Sequence, residues 1–298
     1  DGAVTTDTVT ITVEGPPPTC DATIPATDVP ALISAITAAN GAGSPQTICL
    51  EEGTYALTAV QHNADGPNGL PAISGDVTLL GLGSGAVIQR DSSAPKFRIL
   101  RVTSAGRLVL EKITIRGGDP GGSHNGGGIR NLGTLELKNS IVEENVARDG
   151  AGIRNNGTLI ATGSTIRNNT SPTSGAGLFS NTGSSTTLVE TAVVANVASA
   201  SSGLGGGIFM NGALLQITGG VLEANNARNG GGLFISTAST PVLLNGVQIV
   251  RNGASNAGGG LYIHSGQVEL EAVTVAENIA IKLGGGIRNG DQLTMRAS

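Results

Sequence analysis

The chain has 298 residues and a net charge of −5, and charged residues make up only 13% of it. Glycine accounts for 47 residues, while Phe, Tyr and Trp number four, two and none. Such a composition argues against a thick globular core and favours many thin aliphatic layers. No run of consecutive Lys and Arg residues and no aromatic RNA-binding motif is present, so no nucleic-acid partner is expected. No apolar run approaches the ~18 residues that a transmembrane segment needs.

Residues 1–19 combine a strand pattern with a proline linker. Residues 4–13 alternate Thr with aliphatic residues towards their end, and three consecutive prolines follow at 16–18. The segment resembles the last strand of an immunoglobulin-like or PKD-like module followed by a spacer. Because one strand cannot form such a module, we interpret residues 1–19 as the remnant of an upstream domain in a longer parent protein.

Residues 20–60 are predicted to form an N-terminal cap. Residues 28–40 predict an amphipathic helix with Asp28 as N-cap, and its apolar stripe consists of Val29, Leu32, Ile33 and Ile36. A helix placed directly before a solenoid is expected to cover the open apolar end of the first coil.

The two cysteines of the chain, Cys20 and Cys49, flank this helix. We interpret them as a disulfide, and the alternative is a pair of buried thiols. The chain has no CxxC motif and only three histidines, so no zinc site is expected. No other metal or cofactor is expected either.

Residues 61–298 predict a solenoid. A triplet of small residues followed by an aliphatic residue recurs seven times, 24 to 30 residues apart, and the triplets end at Gly128, Gly152, Gly177, Gly207, Gly232, Gly260 and Gly286. Each repeat of about 26 residues holds three aliphatic patches and leaves no room for a helix. Less regular short strands precede the repeats, at 54–60, 76–80, 86–90, 97–103, 107–110 and 113–116. We therefore predict an all-β fold, a triangular parallel β-helix that we expect to be truncated at its C-terminal end, where an uncapped end would permit end-to-end or lateral self-association.

Two other repeat folds fit less well. A leucine-rich repeat has a similar length, but it needs its leucines and asparagine in one block and a segment that can be helical. The nonapeptide calcium-binding roll needs an aspartate after each glycine motif, and that aspartate is missing here.

An asparagine ends the third patch of each repeat, in the pattern aliphatic-x-x-Asn. These residues are Asn145, Asn169, Asn196, Asn225, Asn252 and Asn278. When coils stack ~4.8 Å apart, an asparagine at a tight bend can bond the asparagine of the next coil. We expect a structural Asn ladder, and the alternative is an Asn-lined ligand site.

The residue two places after each glycine triplet should point outwards, because neighbouring residues of a strand face opposite sides. This candidate binding stripe consists of Arg130, Arg154, Phe179, Phe209, Phe234, Tyr262 and Arg288. Exposed aromatic rings in one register would form a platform for a glycan or for another surface protein. The alternative is that the loops at 197–204 and 253–257 fold over the stripe and cover it.

A second candidate is a basic stretch that contains Arg90, Lys96, Arg98, Arg101, Arg107, Lys112 and Arg116. Solvated outward faces would explain it. The alternatives are an anion-binding groove for acidic polysaccharide and a polysaccharide lyase site. Clustered carboxylates of the kind that hydrolases use do not recur on one predicted face, and no catalytic residue is assigned.

The sequence resembles secreted bacterial β-helix proteins whose N-terminal cap motif is written CSLREAI. The resemblance rests on the Cys20 segment, the helix end at 36–40, the segment Thr47-Ile48-Cys49-Leu50-Glu51-Glu52-Gly53-Thr54-Tyr55, residues 75–83 and the repeats. The repeats are also similar to those of chlamydial polymorphic outer membrane proteins, although Val, Ile or Leu replaces the Phe of their Phe-x-x-Asn motif. The letters after Cys20 also depart from the cap motif.

The resemblance implies a right-handed β-helix that is secreted or displayed on a bacterial surface, often in adhesins, and it carries over no catalytic residue. We expect a non-enzymatic extracellular or cell-surface module for display, adhesion or envelope structure. The alternative is a carbohydrate-active enzyme, a lyase or hydrolase on a pectate-lyase-like β-helix.

Overall fold

The computed structural model describes residues 19–238 and 240–298. The strand assigned to an upstream-domain remnant, at 4–13, lies outside the described residues. The described chain forms a right-handed parallel β-helix, so the predicted fold class is confirmed. In each regular coil the chain forms one strand in each of three sheets, which we number 3, 1 and 2 in the order in which the chain passes through them. Strands of successive coils pair in parallel.

Sheet 1 spans the solenoid from the cap to the last coil. It contains β1 (Ala22–Ile24), β2 (Gln46–Leu50), β4 (Asp76–Gly81), β7 (Arg107–Glu111), β10 (Thr134–Lys138), β13 (Thr158–Thr162), β17 (Ser185–Val189), β21 (Leu214–Thr218), β25 (Val242–Asn245), β29 (Gln267–Glu271) and β33 (Gln292–Arg296).

Sheet 2 follows sheet 1 in each coil. It contains β3 (Gly53–Leu57), β5 (Ala86–Arg90), β8 (Ile113–Arg116), β11 (Ile141–Glu143), β14 (Thr165–Arg167), β18 (Ala192–Val194), β22 (Val221–Glu223), β26 (Gln248–Val250) and β30 (Thr274–Ala276).

Sheet 3 carries the residues that follow the glycine triplets. It contains β6 (Leu100–Val102), β9 (Ile129–Asn131), β12 (Ile153–Asn155), β16 (Leu178–Ser180), β20 (Ile208–Asn211), β24 (Leu233–Thr237), β28 (Leu261–Ile263) and β32 (Ile287–Asn289).

Sheet 4 is a short addition that the sequence did not predict. It lies between sheets 2 and 3 in the later coils and contains β15 (Thr170–Ser171), β19 (Val197–Ala198), β23 (Asn226–Asn229), β27 (Gly253–Ala257) and β31 (Ile279–Ala280). Most of its residues are polar or small, and its strands lack the aliphatic pattern of the other sheets, so periodicity could not reveal it.

The helix α1 (Val29–Gly41) packs against the first strands of sheets 1 and 2. Asp28 caps it, because the side-chain Oδ1 accepts a hydrogen bond from the amide of Ala31 at 2.9 Å. Leu32 and Ile36 are fully buried against the first coils. No helix in the described ranges is long and apolar enough to cross a membrane.

A disulfide joins Cys20 and Cys49, whose Cα atoms are 5.7 Å apart. Cys49 lies in β2, which pairs with β1 immediately after Cys20. The covalent bond therefore fixes the start of the cap to the strand that leads into the first full coil.

The glycine triplets and the Asn ladder form one packing unit. Gly175, the first residue of its triplet, has a φ of +59°, a left-handed conformation that glycine adopts without a steric penalty. A Cβ on Gly177, the third residue, would lie 2.6 Å from the carbonyl oxygen of Gly207 and 3.0 Å from the side-chain amide of Asn196. Only a residue without a side chain leaves room there for the ladder amide.

The core is a set of aliphatic stacks that run along the solenoid axis. The residues after the glycine triplets point inwards, and these are fully buried: Ile129, Ile153, Leu178, Ile208, Leu233 and Leu261. Each coil thus covers the apolar layer of the one before it, which is why a chain with so few aromatic residues can bury a continuous core.

Candidate functional site

The outer face of sheet 3 carries the stripe that the sequence singled out. Strand pairing places its residues in one register on consecutive coils, and it adds Arg101 at the N-terminal end. We call the full set the arginine–aromatic column: Arg101, Arg130, Arg154, Phe179, Phe209, Phe234, Tyr262 and Arg288. The predicted register is therefore present in the structure, whereas the surroundings of the side chains differ from expectation.

The aromatic rings of the column stack on one another. Ring centroids lie 4.5 Å apart for Phe179 and Phe209, 5.5 Å for Phe209 and Phe234, and 4.8 Å for Phe234 and Tyr262. Phe209 and Phe234 therefore have a neighbouring ring on each side. These rings form a hydrophobic cluster separate from the core, with Leu204 packed against it.

The expectation of an exposed aromatic platform was wrong. Phe179, Phe209 and Phe234 are only 8%, 7% and 5% exposed. Successive rings cover each other's faces, and Leu204, from the loop predicted as a cover, packs on the cluster. The segment 253–257 forms β27 of sheet 4. Sugar stacking requires a free ring face, so the phenylalanines stabilise the coil stack instead.

Arginines lie at both ends of the aromatic stack. The guanidinium carbon of Arg154 is 3.6 Å from the ring centroid of Phe179, and that of Arg288 is 6.0 Å from the centroid of Tyr262. The first contact is a close cation–π interaction with an aromatic face that has no further ring on that side. The chemistry of the column thus changes at Arg154 from apolar to cationic.

Asp65 partly neutralises the cationic end of the column. Its Oδ2 accepts hydrogen bonds from Nε and Nη2 of Arg101 at 3.1 and 2.9 Å, and it lies 3.5 Å from Nε of Arg130. Burial raises the pKa of Asp65, but the three arginines around it outweigh burial and lower the pKa. These are Arg101, Arg130 and Arg98. Asp65 is therefore a carboxylate at neutral pH.

Arg98 lies completely buried beneath this group, which corrects the expectation that the basic stretch consists of solvated outward faces. Its guanidinium donates to the side-chain oxygen of Asn68 at 2.7 Å and to the carbonyl oxygens of Gly126 and Asn125, each also at 2.7 Å. Burial, and then the charge of Arg130, lower the pKa of Arg98 to about 9. Arg98 remains cationic at pH 7 and joins the loop around Asp65 to the coil.

The remaining residues of the basic stretch are engaged elsewhere. Lys96 pairs with Asp119 at 2.8 Å, and Arg107 bridges Asp76 and Glu136 across neighbouring strands of sheet 1. Arg90 donates to the carbonyl oxygens of Gly117, Asp91 and Ala94. Lys112 occupies a turn with a φ of +53°. The structure therefore does not bring the seven residues together into one groove.

Glu143 is a buried carboxylate that sequence reasoning missed. It lies on the outer register of sheet 2 and accepts hydrogen bonds from Arg116 and Arg167, one coil to each side, both with Nε at 2.7 Å. Burial raises its pKa, but the hydrogen bonds from the two arginines outweigh this effect and lower it. The two acidic residues at 143–144 do not by themselves predict a buried carboxylate. Only the register between the strands of sheet 2 shows which of the two faces an arginine.

The six predicted asparagines form a continuous ladder at the turn between sheet 2 and the next coil. In the first five, Nδ2 donates to the Oδ1 of the following asparagine, at distances of 2.9 to 3.0 Å. The same Oδ1 accepts the backbone amide of the preceding asparagine, as Asn196 does for Asn169 at 3.0 Å. All the hydrogen-bonding groups of a rung serve neighbouring coils, so no amide of the inner rungs faces a ligand.

A second buried polar row lies inside sheet 3 and was not predicted. Asn131 donates to Oδ1 of Asn155 at 2.8 Å, and Asn155 in turn donates to the hydroxyl of Thr186 at 3.1 Å. Arg-Asn pairs at 130–131 and 154–155 mark it in the sequence, but the next four coils lack the pair, which returns only at 288–289.

Two of the three histidines flank the loop that contains Asp65. The ring of His62 lies against Asn68, and the ring of His124 lies within 2.7 Å of where a Cβ on Gly66 would be. Burial, and then the charges of Arg101 and Arg98, lower the pKa of His62, so it is neutral at pH 7. No group of acidic, cysteine or histidine residues within 19–238 and 240–298 could hold a metal ion.

Comparison with known proteins adds little. No protein-family model and no curated protein sequence match the chain. The A-module of the mannuronan C-5 epimerase AlgE6 of Azotobacter vinelandii aligns with a TM-score of 0.45 and 17% identity, covering 91% of this chain and 83% of that chain. The A-module of the mannuronan C-5 epimerase AlgE4 from the same organism aligns with a TM-score of 0.33 and 15% identity, covering 92% of this chain and 100% of that chain. Similarity at this level carries no functional inference.

Proposed function

We propose that the chain is a rigid, non-enzymatic β-helical rod of an extracellular or cell-surface protein, and that it serves display, adhesion or envelope structure. The observation that carries this proposal is the unbroken connection between coils. Every coil from the cap onwards pairs with the next through parallel strands, and the Asn ladder links six consecutive turns through buried hydrogen bonds.

The length of the rod follows from strand spacing. Sheet 1 has eleven strands in the described part of the chain, and at ~4.8 Å between neighbours it extends for about 48 Å. Buried amides in a ladder resist bending because a displaced rung would leave polar groups without partners in the interior. Such a rod holds what is attached to its two ends at a fixed distance.

Two features support an extracellular location. A structural disulfide persists mainly in oxidising compartments, and Cys20 and Cys49 form one here. The resemblance of the cap and repeats to secreted bacterial β-helix proteins supports the same location. Against the alternative lyase function, Arg98 is buried and donates to carbonyl oxygens, and Arg101 is paired with Asp65, so neither is a free base.

The rod function predicts how the ends move when whole coils are removed. Ile153 and Ile208 occupy the same register through Leu178, so deletion of residues 153–207 removes two coils and rejoins the chain in register. Fluorophores at the exposed Glu52 and Glu271 should approach by about 10 Å in energy-transfer measurements, with an equally narrow distance distribution. A control in which the two coils are replaced by a flexible linker of equal length should broaden the distribution.

Two results would count against the proposal. One is a broad end-to-end distribution in the intact chain, which would show that the coils do not form a rigid rod. The other is turnover of a uronic-acid polymer, followed by the absorbance of unsaturated products, that disappears in an Arg101→Ala variant. That result would establish the lyase alternative.

A further inference from the structure

The cationic end of the arginine–aromatic column carries more positive charge than its surroundings neutralise. Arg98, Arg101 and Arg130 interact electrostatically with Asp65, and Arg154 interacts with Asp149, Arg130 and Arg148. Five guanidinium groups thus share two carboxylates, which leaves three positive charges uncompensated within this group. The whole chain, in contrast, has a net charge of −5. A concentration of charge opposite to the net charge is a feature that attracts anions.

Arg130 lies between Arg101 and Arg154 in this group, and its side chain donates no hydrogen bond to any residue that the structure describes. Its side chain is only 20% exposed, and its Nε is buried without a hydrogen-bond partner. The contact with Asp65, at 3.5 Å, is an ion pair that misses hydrogen-bonding geometry. A guanidinium group has five N–H donors, and a buried donor without an acceptor, such as Nε of Arg130, is unfavourable. A bound group with acceptor oxygens that reached the guanidinium would satisfy this donor.

Arg154, one coil further, also has a buried donor without a partner, although its Nε donates to Oδ1 of Asn156 at 3.4 Å. Its Nη1 is buried without a hydrogen-bond partner and lies 3.8 Å from Asp149, and Phe179 covers one face of the guanidinium. Burial and the charge of Arg130 lower its pKa to about 10, although Asp149 opposes them, so it is cationic at pH 7. Strand pairing places Arg101, Arg130 and Arg154 on adjacent rungs, ~4.8 Å apart.

Hydrogen-bond acceptors lie within the same group. The side-chain oxygen of Asn125 is buried and has no donor, while its backbone oxygen is bound by Arg98. Asp65 is 42% exposed, and it remains ionised. A ligand that fits therefore offers both an anionic group for the guanidinium groups and hydroxyl groups for these oxygens. A sugar acid combines the two.

We propose that Arg101, Arg130 and Arg154, with Asp65 and Asn125 beside them, bind the carboxylate and hydroxyl groups of a uronic-acid-containing glycan. Arg130 is the principal carboxylate ligand, since its buried Nε has no acceptor within residues 19–238 and 240–298 and a guanidinium matches a carboxylate in two-pronged geometry. The site goes beyond the rod function. Either can fail without the other, because rigidity does not depend on a ligand.

The test is calorimetric titration of the intact protein with a galacturonic acid tetrasaccharide and, separately, with a neutral galactose tetrasaccharide, both at low salt. We expect binding of the acidic oligosaccharide alone, weakening as salt is raised. Arg130→Gln should lower the affinity by at least about tenfold, because a charge-assisted hydrogen-bond pair is lost. Arg130→Lys, which keeps the charge but not the planar fork, should show an intermediate loss.

The matched control is Arg288→Gln, at the other end of the same column, which should leave the affinity unchanged. Circular dichroism and the unfolding midpoint establish that each variant is folded. If Arg130→Gln is not folded, Arg130→Lys takes its place in the binding comparison. The assignment is overturned if the folded wild-type protein does not bind the uronate or binds the neutral sugar equally well. Undiminished binding by both Arg130 variants, or tighter binding of a sulfated galactan or an aspartate-rich peptide, would also overturn it.

Discussion

Removal of one inner rung of the Asn ladder should be the most damaging polar substitution in the solenoid. Asn196 is fully buried. Its Nδ2 donates to the carbonyl oxygen of Ile166 and to Oδ1 of Asn225, both at 3.0 Å. Its Oδ1 accepts from the amide and from Nδ2 of Asn169, at 3.0 and 2.9 Å. Asn196→Ala therefore removes four hydrogen bonds at one position.

The magnitude follows from these four bonds. At about 1 kcal/mol for each, the free energy of unfolding should fall by about 4 kcal/mol. The amide of Asn169 loses its acceptor in a buried position, whereas its Nδ2 keeps the carbonyl oxygen of Val142 as a partner. The loss should therefore be local at first, because the backbone amide of Asn196 still donates to Asn225.

Urea unfolding followed by far-ultraviolet circular dichroism measures the change, and hydrogen exchange of the Asn169 amide locates it. The matched control is Asn278→Ala at the last rung, which is partly exposed and makes three such bonds. Water can replace its partners, so we expect about half the effect or less. A loss below about 1 kcal/mol for Asn196→Ala, with unchanged exchange at Asn169, would refute the idea that the ladder holds the coils together.

Three further substitutions test other parts of the structure. Phe209→Ala removes the ring between Phe179 and Phe234 and should lower the free energy of unfolding in urea by about 3–4 kcal/mol. The control Leu214→Ala, in the same coil and 38% exposed, should lower it by under about 1 kcal/mol, and equal losses would contradict a structural role for the stack. Glu143→Gln should lower the free energy of unfolding at pH 7. Because the pKa of Glu143 is lowered on folding, the difference in unfolding free energy between variant and wild type should shrink as the pH falls below about 4, and a constant difference down to pH 2 would contradict the two ion pairs. Replacing Cys20 and Cys49 by Ser opens a loop with a sequence separation of 29 and should lower the free energy of unfolding by about 3–4 kcal/mol. Hydrogen exchange in β1 should become faster, and unchanged exchange there would show that the disulfide does not anchor the cap.

The sequence was most informative where a pattern repeats. Seven triplets of small residues and six aliphatic-x-x-Asn motifs identified the solenoid and its coil length, because a chain that stacks similar coils reuses the same kind of residue at each corner. The helix was also predictable from Asp28 and the spacing of its apolar residues. Sheet 4 and the buried Glu143 were not, since neither belongs to a regular period.

The candidate site shows where reading a strand in isolation fails. Alternation correctly placed Phe179, Phe209 and Phe234 outside the core, but a side chain outside the core need not be exposed. Rings on rungs ~4.8 Å apart are close enough to stack, so each covers its neighbours. Likewise, the basic stretch contained Arg98 and Arg101 without showing that one is buried and the other is paired with Asp65, 36 residues away in the chain.

The sequence by itself determined the fold, the register of the arginine–aromatic column and the positions of the ladder residues, because these depend on local alternation and on a period that repeats along the chain. The tertiary structure alone decided how residues from different coils meet. It placed the side-chain amide of Asn196 in the space left by Gly177, and it grouped Arg101 and Arg130 around Asp65 while leaving the buried Nε of Arg130 without a hydrogen-bond partner. The physical reason is that burial, pairing and charge balance depend on neighbours across coils, which a repeat pattern positions but does not identify.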